Sequence, residues 1–184
     1  MLKTLQVLMA TLVLTGLALA NPLLSAVFWI TATPTDVQRA VQQGAKVEAR
    51  DQTGRTPLHW AAFFNFNPEV ITTLVGLGAQ VEARDQNGMT PLHQAAAVGK
   101  SNPEVIATVV KLGAQVDARD KDGWTPLHRA ARFNPNPKIV LTLLELGANP
   151  KARTDRGRTP WNLIQENDEL KNTDAYWRLN DLRY

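Results

Sequence analysis

Cysteine is absent from this 184-residue chain. That absence excludes a disulfide framework, a thiolate metal site, a cysteine nucleophile and a lipid anchor on cysteine. Serine occurs only as Ser25 and Ser101. Neither sits in a G-x-S-x-G setting, which argues against serine-hydrolase chemistry. No G-x-x-x-x-G-K-[ST] loop occurs either, so no phosphate cradle is legible and no cofactor is expected. A dominant charge is also missing. Lys+Arg 20 against Asp+Glu 17 leaves a net charge of +3, too small to argue for a polyanionic partner. The 44% hydrophobic share is too high for a disordered chain.

Charge is scarcest at the N-terminus, where Lys3 is the only charged residue before Asp36. An apolar run from Leu5 to Ala20 ends in Ala18-Leu19-Ala20. This is the n-region, h-region and A-x-A plan of a secretory signal. It predicts a signal peptide over 1–20, cleavage after Ala20 and a mature chain starting at Asn21. A periplasmic or secreted protein follows. If cleavage fails, the uncharged stretch to Thr35 is long enough to act as an N-terminal membrane anchor, which needs roughly 20 residues.

What is present is repetition. Thr-Pro-Leu-His stands at 56–59, 90–93 and 125–128, and a degenerate Thr159-Pro160-Trp161-Asn162 follows. The starts are 34, 35 and 34 residues apart, a period that signals stacked supersecondary units. Within one unit, Thr56 suits an N-cap and Pro57 the first helical position. His59 falls at N3, where its ring can bond back to the cap, so the three histidines read as caps. Neighbouring histidines stand about 10 Å apart, one helix spacing, too far to share a metal at bonds of ~2 Å. Asn67-Pro68-Glu69 opens a second helix with a stripe of Val70, Ile71, Leu74, Val75 and Leu77. Gly78 ends it, and Asn87-Gly88 predicts a hairpin turn.

Pro68 to Gly78 recurs as Pro103 to Gly113, Pro137 to Gly147 and Pro34 to Gly44. The last of these predicts a terminal unit over 21–50, opened by Asn21-Pro22 and capped again by Thr33 and Asp36. Its poorer stripe suits a solvent-facing end. Full units then occupy 51–84, 85–119 and 120–153. A C-terminal cap fills 154–184, its last helix opened by Thr173-Asp174.

The pattern Asp51-x-x-Gly54-x-Thr56-Pro57-Leu58-His59-x-Ala61-Ala62, with Leu74 and Gly78-Ala79-x-Val81-x-Ala83, resembles the ankyrin repeat. Copies run from Asp85 to Ala118 and from Asp120 to Ala152. The resemblance implies an all-α solenoid of helix-turn-helix units with β-hairpin loops, three full repeats and two capping repeats. It also implies a non-enzymatic scaffold whose short first helices line a concave face that binds a protein. Two departures stand out. Glu48, Glu82 and Asp117 replace the family's usual Asn, and Asn-Pro replaces Gly-His between the helices.

The repeat leaves some positions free. Arg55, Met89, Trp124 and Arg158 precede the Thr-Pro pairs, and Trp60, Gln94 and Arg129 follow the histidines. These seven are the candidate protein-binding residues, because Trp and Arg are enriched at binding hot spots. Trp60, Trp124 and Arg129 are expected to be replaceable by Ala with folding retained. Phe63, Phe64, Phe66 and Phe133 read as core or inter-repeat packing. Arg50, Arg84, Arg119 and Arg153 form a ladder beside Asp51, Asp85 and Asp120, read as a solvated charged face. The upstream acids dilute that field, so no nucleic acid is expected. The partner is a protein, the chain a monomer, and a secreted effector or toxin-neutralising role is the alternative.

Overall fold

The computed structural model describes residues 21–64, 67–97 and 102–184. The signal segment, Phe66 and Ser101 lie outside them. Among the described residues there are ten α-helices and two 3-10 turns. They form five pairs: α1 (Ala26–Thr31) with α2 (Pro34–Gln42), α3 (Pro57–Phe64) with α4 (Pro68–Gly76), α5 (Pro91–Ala97) with α6 (Pro103–Lys111), α7 (Pro126–Phe133) with α8 (Pro137–Glu145), and α9 (Pro160–Ile164) with α10 (Asp174–Asp181).

Local chemistry places each start. Thr125 accepts from the His128 N–H while the His128 ring serves the cap backbone, a complete capping box. Thr33 with Asp36 and Thr159 with Asn162 make the same box with different side chains. Asn67, Asn102 and Asn136 cap the second helices ahead of their N1 prolines. A proline there gives up no helical hydrogen bond. At the N-terminal cap, Asn21 opens a 3-10 turn over Pro22–Leu24 before α1 begins.

The helices stack in two layers. First helices α1, α3, α5, α7 and α9 pack in sequence, and second helices α2, α4, α6, α8 and α10 pack beside them. One continuous core runs between the layers. Leu58, Leu92 and Leu127 contribute from the first layer, and Ile71, Leu74, Ile106, Val109, Ile139 and Leu143 from the second. Ala61, Ala95 and Ala130 are buried between first helices, where a small side chain permits close approach. Leu23, Trp29 and Val37 close one end of the core, and Leu163, Leu170, Ala175 and Leu179 the other. Each unit therefore buries its stripe only against its neighbours.

The expected β-hairpin loops need correcting. Among the described residues no strand forms. Each loop is a tight turn closed by two backbone bonds, as from the Asp85 N–H to the Met89 carbonyl at 3.0 Å and from the Gly88 N–H to the Asp85 carbonyl at 2.9 Å. Successive turns are tied instead to one another, Gln86 N–H to Thr53 O and Lys121 N–H to Asn87 O. Gly88 sits in such a turn at φ +76°, and a Cβ there would lie 3.1 Å from the Lys121 backbone nitrogen. Turn stacking therefore needs glycine twice over, for its dihedral and for its missing side chain.

Candidate binding face

The face is built on a frame of three side-chain ladders. The first is the histidine ladder. His59 Nδ1 accepts from the Thr56 N–H at 3.1 Å, which places the ring proton on Nε2. That N–H donates to the Met89 carbonyl of the next repeat at 2.9 Å. His93 reaches Trp124 O at 3.0 Å and His128 reaches Arg158 O at 3.0 Å in the same way. Capping is thus only half of each imidazole's role, and its second nitrogen ties repeat to repeat. Burial lowers the pKa of all three and takes His93 down to about 4. Both ring nitrogens are committed, so these residues have no lone pair left for a metal or a reaction.

The arginine ladder differs from its sequence reading. Arg50 Nη1 donates to Gly54 O at 2.8 Å and to Arg84 O at 2.7 Å. Arg84 bonds Gly88 O and Arg119 O likewise, Arg119 bonds Arg153 O, and Arg153 bonds Gly157 O. These arginines staple turn carbonyls across repeats. Among the described residues, Arg119 alone of the four also pairs with an acid, Asp155 at 3.0 Å. Glu48, Glu82 and Asp117 form a third ladder, accepting from the N–H groups of Gln80, Gln115 and Asn149 one repeat on. The departures from the usual Asn are structural contacts.

Asp51, Asp85 and Asp120 stand at the turn roots. One oxygen of each accepts two turn N–H groups, in the first case from Thr53 and Arg55, with Asp85 and Asp120 repeating the pattern. The other oxygen takes whatever donor follows the histidine. Trp60 Nε1 donates to Asp51 Oδ2 at 3.0 Å, Gln94 Nε2 lies 3.5 Å from Asp85 Oδ2, and Arg129 Nη2 meets Asp120 Oδ2 at 2.5 Å. Trp, Gln and Arg share little except an N–H donor, and that is what the aspartate requires. Burial pulls the Asp51 carboxyl upward, but bonds from Thr53, the Arg55 N–H and Trp60 outweigh it and hold it below the usual range.

Among the seven candidate residues, two pairs meet. The Arg55 guanidinium lies over the Trp60 ring at 5.6 Å. The Arg129 guanidinium lies over the Trp124 ring at 5.0 Å. Phe64 stacks on Trp60 at 5.6 Å, and Phe133 stacks on Trp124 at 5.8 Å. Phe63 adds an edge contact to Phe64. Phe133 is 50% exposed, so its reading as packing is corrected: it widens the surface. Gln94 is a second correction, because at 4% exposure it offers a partner almost no surface. Met89 is half-buried between the two stacks. Arg158 pairs with Glu166, which also holds Arg132 at 3.2 Å. Glu166 went unnoticed in the sequence because its partners lie in two different repeats.

Arg129 also carries a burden that the sequence hides. Its ion pair neutralises Asp120, whose side chain is 1% exposed. Replacing it by Ala strands a buried carboxylate, so it is not the dispensable contact residue expected above.

The class is then clear from fold and face together: a helical-repeat scaffold with a surface of variable residues on an invariant frame. A family model of ankyrin repeats in three copies matches residues 62–154, and the chain belongs to the ankyrin repeat family. Ankyrin repeats are protein–protein interaction scaffolds, generally without catalysis. No curated protein matches the chain.

Proposed function

We propose that this protein is an extracytoplasmic, non-enzymatic scaffold that binds one protein partner through the concave face formed by its first helices and turn roots. The observation that carries this reading is convergence. The frame residues repeat and are consumed by the fold, while Arg55, Trp60, Trp124 and Arg129 differ between repeats and gather as two arginine–indole stacks. Large, partly exposed aromatic rings held rigid by stacking cost little entropy on binding, and Trp and Arg dominate interface energetics. The location rests on the sequence plan of residues 1–20. Among the described residues no helix is long and apolar enough to cross a membrane.

Two experiments test the reading. A photo-crosslinking amino acid at position 89, between the stacks, should trap a protein in the native host. The same group at position 138, on exposed second helix α8, should not. Equal trapping from both positions would remove the face from the account. N-terminal sequencing of protein from cell fractions should find Asn21 first, outside the cytoplasm. Cytoplasmic chain beginning at Met1 would remove the location.

A further inference from the structure

The two stacks differ in charge balance, and the difference specifies the partner. Arg129 is neutralised by Asp120, and Arg132 and Arg158 by Glu166. Arg55 has no ion pair among the described residues, and its side chain makes no hydrogen bond there. All 17 Asp and Glu residues of the chain lie among the described residues, so no carboxylate of this protein remains to pair with it. Its Nε is buried without a partner, as is that of Arg129, although buried donors are ordinarily satisfied; what separates the two is that the Arg129 Nη2 has Asp120 and the Arg55 guanidinium has no acid among the described residues. The Arg55 guanidinium stacks on Trp60. Asp51, the nearest acid along the chain, spends its oxygens on two turn N–H groups, the Thr53 hydroxyl and Trp60. The half-buried Trp60 ring under this cation continues into the half-buried rings of Phe64, stacked on it, and Phe63, edge-on to Phe64.

We infer that the first full repeat is the anchor of recognition, and that its partner is a protein segment presenting a carboxylate to Arg55 with an adjacent apolar side chain on Trp60, Phe63 and Phe64. This inference rests on the concave-face reading and adds the partner's chemistry. A planar guanidinium already held over an indole is preorganised for a carboxylate. On this face an incoming acid would have to compete with Asp120 for Arg129 and with Glu166 for Arg132 and Arg158. At Arg55 it displaces nothing. Loss of this charge-assisted contact weakens binding by about tenfold or more.

The probe is a displayed library of random dodecapeptides selected on the full chain. Enriched peptides should carry Asp or Glu beside an aromatic or aliphatic residue. Their affinity should fall about tenfold on Arg55→Gln, and only slightly on Lys138→Gln, the same charge change on an exposed second helix. Arg55→Lys, which keeps charge but not the planar fork, should recover part of the loss. Circular dichroism confirms that each variant is folded. Peptides that bind in a Trp60- and Trp124-dependent way, yet lack an acid or ignore Arg55→Gln, would overturn the inference and leave the concave face standing. Selection of no peptide whose binding depends on Trp60 or Trp124 would overturn both.

Discussion

The first and third full repeats build the same object from exchanged parts. In the first, the turn root supplies Arg55 and the helix supplies Trp60. In the third, the turn root supplies Trp124 and the helix supplies Arg129. Either way a guanidinium covers an indole and a phenylalanine, Phe64 or Phe133, stacks on its side. The root aspartate separates them. In the first repeat it receives a neutral indole N–H, and the arginine keeps its charge unpaired. In the third it receives the guanidinium, and the charge is spent inside the protein. One stack is therefore open to a ligand carboxylate, and the other is closed by its own. The middle repeat carries Met89 and Gln94 at these two positions, neither a ring nor a cation, and separates the stacks by two helix spacings, roughly 20 Å.

Acid should have the largest effect, because both stacks hang from the histidine ladder. The folded pKa of His93 is about 4 against the ordinary imidazole value of 6.5. The neutral ring is favoured in the fold, so its stability contribution is complete above pH 6.5. It is lost as the pH falls towards 4 and the unfolded chain takes up the proton. Burial lowers the pKa of this ring and the Arg129 and Arg84 charges add to it, together outweighing the Trp124 carbonyl bond and the Asp120 charge, which raise it. Urea unfolding at pH 4 should show a loss on the order of 3 kcal/mol from His93 alone, with both tryptophan environments changing together. Separate transitions for the two stacks would break the shared frame.

Arg129→Ala should destabilise by about 2–3 kcal/mol, since it leaves the Asp120 carboxylate buried without its cation. Arg55→Ala should cost about 0.5–1 kcal/mol, the value of an exposed cation–π contact. Chemical denaturation of the two variants measures the contrast directly, and equal losses would erase it. Arg84→Ala removes the bonds to Gly88 O and Arg119 O and should cost about 1–2 kcal/mol, although no stack is touched. The smallest effect should come from exchanging the parts. The double variant Arg55→Trp with Trp60→Arg recreates the third-repeat arrangement and should stay within about 1 kcal/mol of the parent. It should also lose preference for acidic peptides, because Asp51 would then claim the guanidinium.

The frame was legible in the sequence because its causes are local. Caps, N1 prolines, the apolar stripe of each second helix and the Asn87-Gly88 turn all act within a few residues. The period then showed that units such as Val70–Leu74 bury their stripes against copies of themselves. What stayed hidden depends on atoms one repeat away. Arg50 looked like a solvated charge because its acceptor, Arg84 O, is 34 residues distant. His59 looked like a cap alone because Met89 O lies in the next turn. The strands expected beside Asn87-Gly88 did not form, since the arms meet only through the Asp85–Met89 bond and the turns bond to neighbouring turns instead. The seven free positions were found by their variation, but variation cannot tell Gln94, which is buried, from Trp124, which is not. The exchange between Arg55–Trp60 and Trp124–Arg129 is visible only when two positions are read as one unit.

The central claim is that the frame holds the fold while the two indoles serve a partner. Affinity capture from the host's extracytoplasmic fraction tests it most directly, with the full chain and its Trp60→Ala/Trp124→Ala variant as baits, each shown to unfold cooperatively in urea. The account predicts a protein retained by the parent and lost by a variant that is still folded. A folded variant retaining the same protein with equal affinity would contradict it.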